Sequence, residues 1–504
     1  MLASLSLVVL AAAATPCEML DALSTPQVSI KAAVAPAGPF VAPGATPPPA
    51  PASAAGRGRG GPGAAAQPPP LPAHCRVRLV LKPTSDSNIN AELWMPAANW
   101  NGKFMAVGNG GFGGSIQGYG EMQTALRLGY ATAGNDTGHS AADGPNGMFA
   151  LGHPEKIVDF AYRAMHEMTA TSKKLIDSYY GSAPRFSYYK GCSTGGRQGA
   201  MAAQRYPEDF DGIIAGALAN RHIQMHTAGS ARSMTLARHP DRQLTPAKAD
   251  LVNKLVMESC DTLKEGFLNN PRACRVDFKK LACGSAADSQ SCLTAAQMLT
   301  VEEFYGGVKT SKGELIFSGQ ALGNPIAASR GAIPAIGAGN DTVRIWGFQN
   351  DNYDWNTFDL DRDMPIINSK VGFVDAVDPD LSKFKARGGK LLLYAGWGDT
   401  GITPENTVLY YDNLKSKMGK NQDDWARLFM VPGMGHCRGG DGPHTFDLIG
   451  TMESWREKGV APAQITGFNP QSGLSRPLCP YPQYAKYKGT GNMKDASNWA
   501  CTAP

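Results

Sequence analysis

The chain has 504 residues, 42% of them apolar and 18% charged, which suits a globular protein with a large core rather than a disordered one. Its formal net charge is only +5, and no Lys/Arg stripe is interleaved with aromatics, which argues against a nucleic-acid partner. The length fits two or more domains, or one large α/β domain with a long insertion.

Residues 1–14 (MLASLSLVVLAAAA) are apolar and end in small side chains. This predicts a signal peptide and a secreted or periplasmic protein. The run lacks a basic start, and because nothing polar punctuates it a buried N-terminal helix is the alternative. It is too short to span a bilayer, and no other stretch is long enough, so no membrane association is expected. In an exported chain the ten cysteines point to disulfides. Four sets fall close in sequence or flank one segment: Cys17 with Cys75, Cys260 with Cys274, Cys283 with Cys292, and Cys479 with Cys501. Cys192 and Cys437 remain. There is no C-x-x-C pair, which speaks against a thiolate zinc site.

Residues 15–75 form an N-terminal segment. Its Pro/Ala/Gly tract, residues 35–73, contains Arg57-Gly58-Arg59-Gly60 and is expected to be a solvated flexible loop. Strand patterns begin after Cys75, at Arg76–Leu81, Asn90–Met95 and Lys103–Val107. The glycine run 108–114 follows the third of these. No Lys-Ser/Thr ends it, so it is not a Walker loop. Its free N–H groups, at Gly110 and Gly111, are candidates for one side of an oxyanion hole. Tyr130–Gly134 reads as another strand, closed by Asp136-Thr137-Gly138-His139, a loop read as structural. Glu155–Tyr180 has helical spacing.

Phe186–Ala203 (FSYYKGCSTGGRQGAMAA) organises the chain. A strand pattern ends at Gly191-Cys192-Ser193-Thr194-Gly195, which fits G-x-S-x-G, and a helical run follows. The strand Gly212–Gly216 comes next. Strand, tight turn, helix, strand is the setting of a nucleophile elbow, with the Thr194 N–H as the second oxyanion donor.

Residues 221–384 change in character, with close cysteine pairs, Gly/Asn-rich loops and aromatics including Trp346 and Phe348. They are expected to form an inserted lid domain, so the catalytic domain comprises 76–220 and 385–504. His222 and His226 have the spacing of helical metal ligands. No acid accompanies them, and a packing role is favoured. Lys390–Tyr394 returns to a buried strand and ends in Gly396-Trp397-Gly398-Asp399. Arg427–Val431 is the next strand, ending in Pro432-Gly433-Met434-Gly435-His436-Cys437. The order Ser…Asp…His is that of α/β-hydrolases. Serine is a weak nucleophile without a base, so His436 would take the Ser193 proton and Asp399 would orient the imidazole. Cys192 precedes the serine and Cys437 follows the histidine. A bridge between them would make nucleophile and base neighbours in space, with Cα atoms about 4.4–6.8 Å apart.

The motifs around Ser193, Asp399 through Ile402-Thr403-Pro404, and His436-Cys437 together resemble the tannase/feruloyl esterase family, which also holds a bacterial hydrolase of mono(2-hydroxyethyl) terephthalate. That family joins the cysteines beside its serine and histidine. The resemblance runs from Cys75 onward. It implies an α/β-hydrolase core, a lid inserted before the Asp strand, and cleavage of small aromatic carboxylic esters. The lid aromatics Trp346 and Phe348, with Trp397 and Ile402, would wall the substrate pocket. Family lids usually carry a calcium loop of the form C-D-x-x-D-G-x-x-D-G. Here the loop reads CDTLKEGFLNNPRAC, residues 260–274, and retains only Asp261 and Glu265 as acidic ligands. Calcium takes six to eight oxygens, so no metal or other cofactor is expected. Two rivals remain open: an acyltransferase on the same triad, and a non-catalytic binding protein of the same fold.

Overall fold

A computed structural model describes residues 14–43, 69–284, 288–328 and 338–504. The expected signal peptide, apart from Ala14, and most of the Pro/Ala/Gly tract with its Arg-Gly repeat lie outside these residues.

One nine-stranded sheet carries the fold. Its strands are β1 (Val28–Ala35), β2 (His74–Leu81), β3 (Ile89–Pro96), β4 (Lys103–Val107), β5 (Ala131–Asn135), β6 (Phe186–Cys192), β7 (Gly212–Gly216), β10 (Lys390–Gly396) and β11 (Ala426–Val431). A small hairpin of β8 (Val308–Lys309) and β9 (Leu315–Phe317) stands apart. The strand order is β1-β2-β3-β5-β4-β6-β7-β10-β11. β1, β2 and β3 are antiparallel to their neighbours, and the six strands from β5 to β11 run parallel. Strands covered on both faces read as continuous apolar runs. KLLLYAG and ARLFMV do so, and both are buried almost throughout. β1 was not visible in the sequence. It is an edge strand in which Val28, Ile30 and Val34 alternate with small or polar residues and only Ile30 is buried, so it shows no continuous apolar run. It ties the N-terminal segment into the sheet over eight residues of β2, beside a Cys17–Cys75 disulfide.

Helices connect the parallel strands. The predicted helix over 155–180 forms as Pro154–Val158, a π-turn Asp159–Arg163 and Ala164–Tyr180. Thr194–Arg205 joins β6 to β7, and Pro404–Met418 joins β10 to β11. The register pairs Cys192 with Gly216 and Gly396 with Val431, so the loops after the strands emerge along one edge. In parallel sheets that edge is where sites are built.

The stretch between β7 and β10 holds the helices His222–Arg238, Pro246–Cys260, Ala295–Gly306 and Leu360–Val371. It has a small core of its own, from Leu244 to Ile326. A second cluster joins it to the loops of the sheet, packing Ile223, Trp346 and Ile367 against Phe112, Phe149 and Phe160. At the C-terminal end, β12 (Ile465–Phe468) pairs with β13 (Ser475–Leu478), and β14 (Tyr484–Tyr487) with β15 (Trp499–Thr502).

Candidate active site

Ser193 sits between β6 and the helix Thr194–Arg205 with φ +64° and ψ −123°. A non-glycine residue there is strained, and the strain lifts the side chain out of the turn. Gly191 and Gly196, on either side of the serine, are required by close approach of neighbouring atoms. A Cβ on Gly196 would stand 2.2 Å from the Gly216 carbonyl oxygen, and one on Gly191 2.5 Å from the Tyr189 hydroxyl. The Ser193 N–H donates to Gly216 O at 3.0 Å, which fixes the turn to β7.

Asp399 is fully buried in the loop after β10. Its Oδ1 accepts the Gly401 and Ile402 N–H groups at 2.8 and 2.9 Å, and its Oδ2 lies 2.8 Å from His436 Nδ1. A carboxylate can only accept, so Nδ1 carries the proton and Nε2 is left as an acceptor. The two loops are stitched by Trp397 N–H to Val431 O and Gly398 N–H to Met434 O. A Cβ on Gly396 would lie 2.1 Å from Met434 O, so only glycine admits this crossing.

All five predicted cysteine pairs are disulfides. Cys192–Cys437 closes 245 positions of chain with its Cα atoms 6.0 Å apart, and so brings the residues next to it, Ser193 and His436, together. Among the described residues no hydrogen bond joins Ser193 Oγ to His436. Such bonds commonly tighten only with substrate.

The expected oxyanion donors need one correction. The Gly110 N–H is engaged by Gln117 Oε1 at 2.6 Å, so it is not available. The N–H groups of Gly111 and Thr194 donate to no acceptor among the described residues. The Thr194 hydroxyl donates to Gly111 O at 2.6 Å and links these two residues.

The four expected pocket residues separate. Trp346 is buried and packs edge-on to Phe112, the neighbour of Gly111, at 5.3 Å between ring centroids. Ile402 is buried beside Asp399. Phe348 stacks on Tyr353 instead. Trp397 belongs to the main core and lines a small recess with Asn269 and Met430. His222 is buried and His226 half-buried in the aromatic cluster with Phe112 and Trp346, their ring centroids 4.2 Å apart. Burial lowers both pKa values, that of His226 to about 4, so the pair is neutral near pH 7.

The loop over 260–274 does not fit calcium. Asp261 accepts the N–H groups of Glu265 and Gly266. Glu265 is held by Arg476 from β13, Nη2 to Oε1 at 2.5 Å and Nη1 to Oε2 at 3.1 Å, and by Asn269 at 2.9 Å. Arg476 is fully buried and lies 3.6 Å from the centroid of Trp499. A fixed cation therefore already neutralises the carboxylate that the resemblance offers to a metal. Composition gave no hint of it, because Arg476 is more than 200 positions downstream.

A buried acid, a histidine and an elbow serine on the loop edge of a parallel sheet define the class: an α/β-hydrolase. The comparisons with known proteins narrow this further. The profile of the family described as tannase and feruloyl esterase matches residues 75–502. The chain is 34% identical to an uncharacterized esterase of Xanthomonas campestris pv. campestris, over 98% of this chain and 92% of that one. It is 33% identical to a probable feruloyl esterase B-2 of Aspergillus terreus, over 85% of this chain and 86% of the relative. The crystal structure of feruloyl esterase B from Aspergillus oryzae superposes with a TM-score of 0.83 at 30% identity, covering 96% of this chain and 99% of that one. The tannin acyl hydrolase of Aspergillus niger shares the fold, with a TM-score of 0.72 at 21% identity over 86% and 87% of the two chains. The chain belongs to the tannase and feruloyl esterase family and is a carboxylic ester hydrolase.

Proposed function

We propose that the protein is a serine esterase for esters of aromatic carboxylic acids, of the feruloyl, galloyl or terephthaloyl type, working through an acyl-enzyme. Relatives named as feruloyl esterases support the acyl class. The observation that carries the mechanism is the Cys192–Cys437 bridge beside an Asp399–His436 hydrogen bond. Ser193 Oγ attacks the ester carbonyl carbon while His436 Nε2 takes its proton. The carbonyl oxygen becomes an oxyanion, held by the N–H groups of Gly111 and Thr194 at the positive end of a helix. The C–O bond then breaks, and the alcohol leaves with the proton from His436. Water, deprotonated by the same nitrogen, releases the acid and restores Ser193. Asp399 keeps the imidazole in the required tautomer.

In this reading residues 221–384 act as the lid, and Trp346 beside the oxyanion loop walls the acyl pocket. The chain is exported, which suits its five disulfides. It works without calcium, Arg476 serving as the cation of the 260–274 loop.

The test is a panel of aryl esters together with a serine-directed phosphonate. The wild type should hydrolyse aromatic esters in preference to acetyl esters and label at Ser193. Ser193→Ala should fold normally, lose labelling and lose nearly all turnover. A wild type that resists the phosphonate and leaves the esters intact would favour the non-catalytic binding protein. Preferential transfer of the acyl group to an added alcohol over water would identify an acyltransferase.

A further inference from the structure

The two oxyanion donors come from different parts of the chain, Gly111 from the loop after β4 and Thr194 from the start of the helix after β6. Their relative position must be held to a fraction of an ångström, since a displacement of about 1 Å can cost on the order of a hundredfold in rate. A buried amide pair joins the two parts. Gln198, one turn into the helix, accepts the Asn109 N–H on Oε1 at 3.0 Å and donates from Nε2 to Asn109 Oδ1 at 3.1 Å. The Asn109 carbonyl accepts the Gly195 N–H at 2.7 Å. Asn109 Nδ2 donates to Asn135 O at 2.7 Å and Ser115 O at 3.2 Å. The Tyr189 hydroxyl donates to Gly195 O at 2.6 Å and reaches Gln198 Oε1 at 3.3 Å.

The orientation of each amide follows from its partners. A backbone N–H can only donate, so the Gln198 atom facing Asn109 N is the oxygen. Its nitrogen then faces Asn109, whose oxygen must meet it. Both residues are nearly inaccessible, at 4% and 3% exposure, so these bonds have no water to replace them. The packing is closed as well. A Cβ on Gly108 would lie 2.3 Å from the Tyr189 hydroxyl and 2.7 Å from the Cα of Gly195.

We infer that Gln198 and Asn109, backed by Tyr189, are positioning residues that set the distance between the two oxyanion donors, Gly111 N and Thr194 N. This rests on the reading of Ser193 as the nucleophile. Neither side chain needs to touch substrate. Their removal should weaken stabilisation of the tetrahedral oxyanion and leave ground-state binding almost unchanged.

The experiment compares wild type, Gln198→Met and Gln198→Glu at a temperature where all are folded by circular dichroism. The assays are kcat and KM on one aryl ester, and the Ki of an aryl trifluoromethyl ketone, which forms a tetrahedral adduct. Gln198→Met should lower kcat by about ten- to a hundredfold, with KM within about threefold, and raise the ketone Ki in step with the fall in kcat/KM. Gln198→Glu keeps the oxygen that accepts the Asn109 N–H but loses the donor to Asn109 Oδ1. Protonation of the new carboxyl restores a donor. Its kcat relative to wild type should therefore rise as pH falls, an effect absent from Gln198→Met. If Gln198→Met does not fold, Gln198→Glu carries the test through this pH signature. Wild-type kcat and ketone affinity in a folded Gln198→Met, or a flat pH ratio for Gln198→Glu, overturns the inference. A wild type without esterase activity overturns instead the assignment of Ser193, a distinguishable outcome.

Discussion

Two buried carboxylates frame the return of the chain to the sheet, and they are held differently. Asp399, after β10, uses both oxygens: two backbone N–H groups on Oδ1 and the His436 imidazole on Oδ2. Asp375 lies just upstream, where the inserted stretch leads back to β10. Its Oδ1 accepts the Ile223 N–H at the start of the helix His222–Arg238, and its Oδ2 has no partner among the described residues. Burial pushes its pKa up to about 7, against the opposing pull of the Ile223 N–H, Arg197, Arg221 and the Gln224 amide. The first carboxylate has a partner for each oxygen, while the second has one for Oδ1 only and is pushed by burial toward its protonated form. The same substitution, Asp→Asn, is therefore expected to act in opposite directions at the two sites.

At Asp399 the effect should be the largest. The amide oxygen of Asp399→Asn must stay toward the Gly401 and Ile402 N–H groups, because an NH₂ there would face two donors. The NH₂ then faces His436 Nδ1 and forces the imidazole proton onto Nε2. That tautomer cannot accept the Ser193 proton. A fall in kcat on the order of 10⁴-fold is expected, with the fold retained. Turnover within tenfold of wild type would show that the hydrogen bond does not set the tautomer.

Next in size is the bridge that brings the elements together. The Cys192→Ala, Cys437→Ala double variant should lose about a hundredfold in kcat at a temperature where it remains folded. The Cys479→Ala, Cys501→Ala variant removes a bridge from β15, at the far end of the chain, and should retain near-full kcat. Equal kcat values for the two would mean that the loops after β6 and β11 hold Ser193 and His436 together without the disulfide.

The triad side of the comparison was legible in the sequence because its constraints are local. Gly191, Gly196 and Gly396 mark close backbone crossings, and Cys192 and Cys437 are covalent neighbours of the residues they position. The features that went unread depend on residues far apart. Asn109 is a polar residue in a glycine run, and only the fold shows that Gln198 completes it. Gly110 and Gly111 are indistinguishable as letters, and Gln117 decides between them. β1, an edge strand, is alternating, with only Ile30 buried, and lacks the continuous apolar run of the strands inside the sheet. Trp397 looked like a pocket residue from its motif, yet the core claims it.

The 260–274 loop tests whether a complete set of partners also stabilises a buried charge away from the triad. Glu265 and Arg476 have side-chain exposures of 9% and 0%. Breaking such a pair by removing one partner costs about 3–5 kcal/mol, because the other charge is left buried. Arg476→Met should thus lower the Tm by several degrees, and adding Glu265→Gln to it should recover part of the loss. Millimolar calcium or a chelator should leave the wild-type Tm unchanged. A rise in Tm with calcium would show that the loop binds the ion despite its guanidinium.

The smallest effect, and the mirror of the first, is expected from Asp375→Asn. The folded pKa of about 7 stands above the ordinary aspartate value of 3.8. Between those two values the native protein keeps a proton that the unfolded chain has lost, so stability linked to this group falls as pH rises through that window. Above it both states are ionised, and the native state bears the full cost of a buried, half-satisfied carboxylate. Asparagine resembles the protonated acid: its oxygen can still accept the Ile223 N–H, and no charge appears at any pH. The Tm of Asp375→Asn relative to wild type should be close to zero near pH 4, grow through pH 5–7 and level off above pH 7 at an increase of about 2 °C or more. Because the two proteins share every other titrating group, their difference isolates this one. A difference that is flat with pH would mean that Asp375 is ionised in the folded protein, its Oδ2 charge met by Arg197 or Arg221, and the contrast with Asp399 would then lie only in the number of N–H groups each carboxylate accepts.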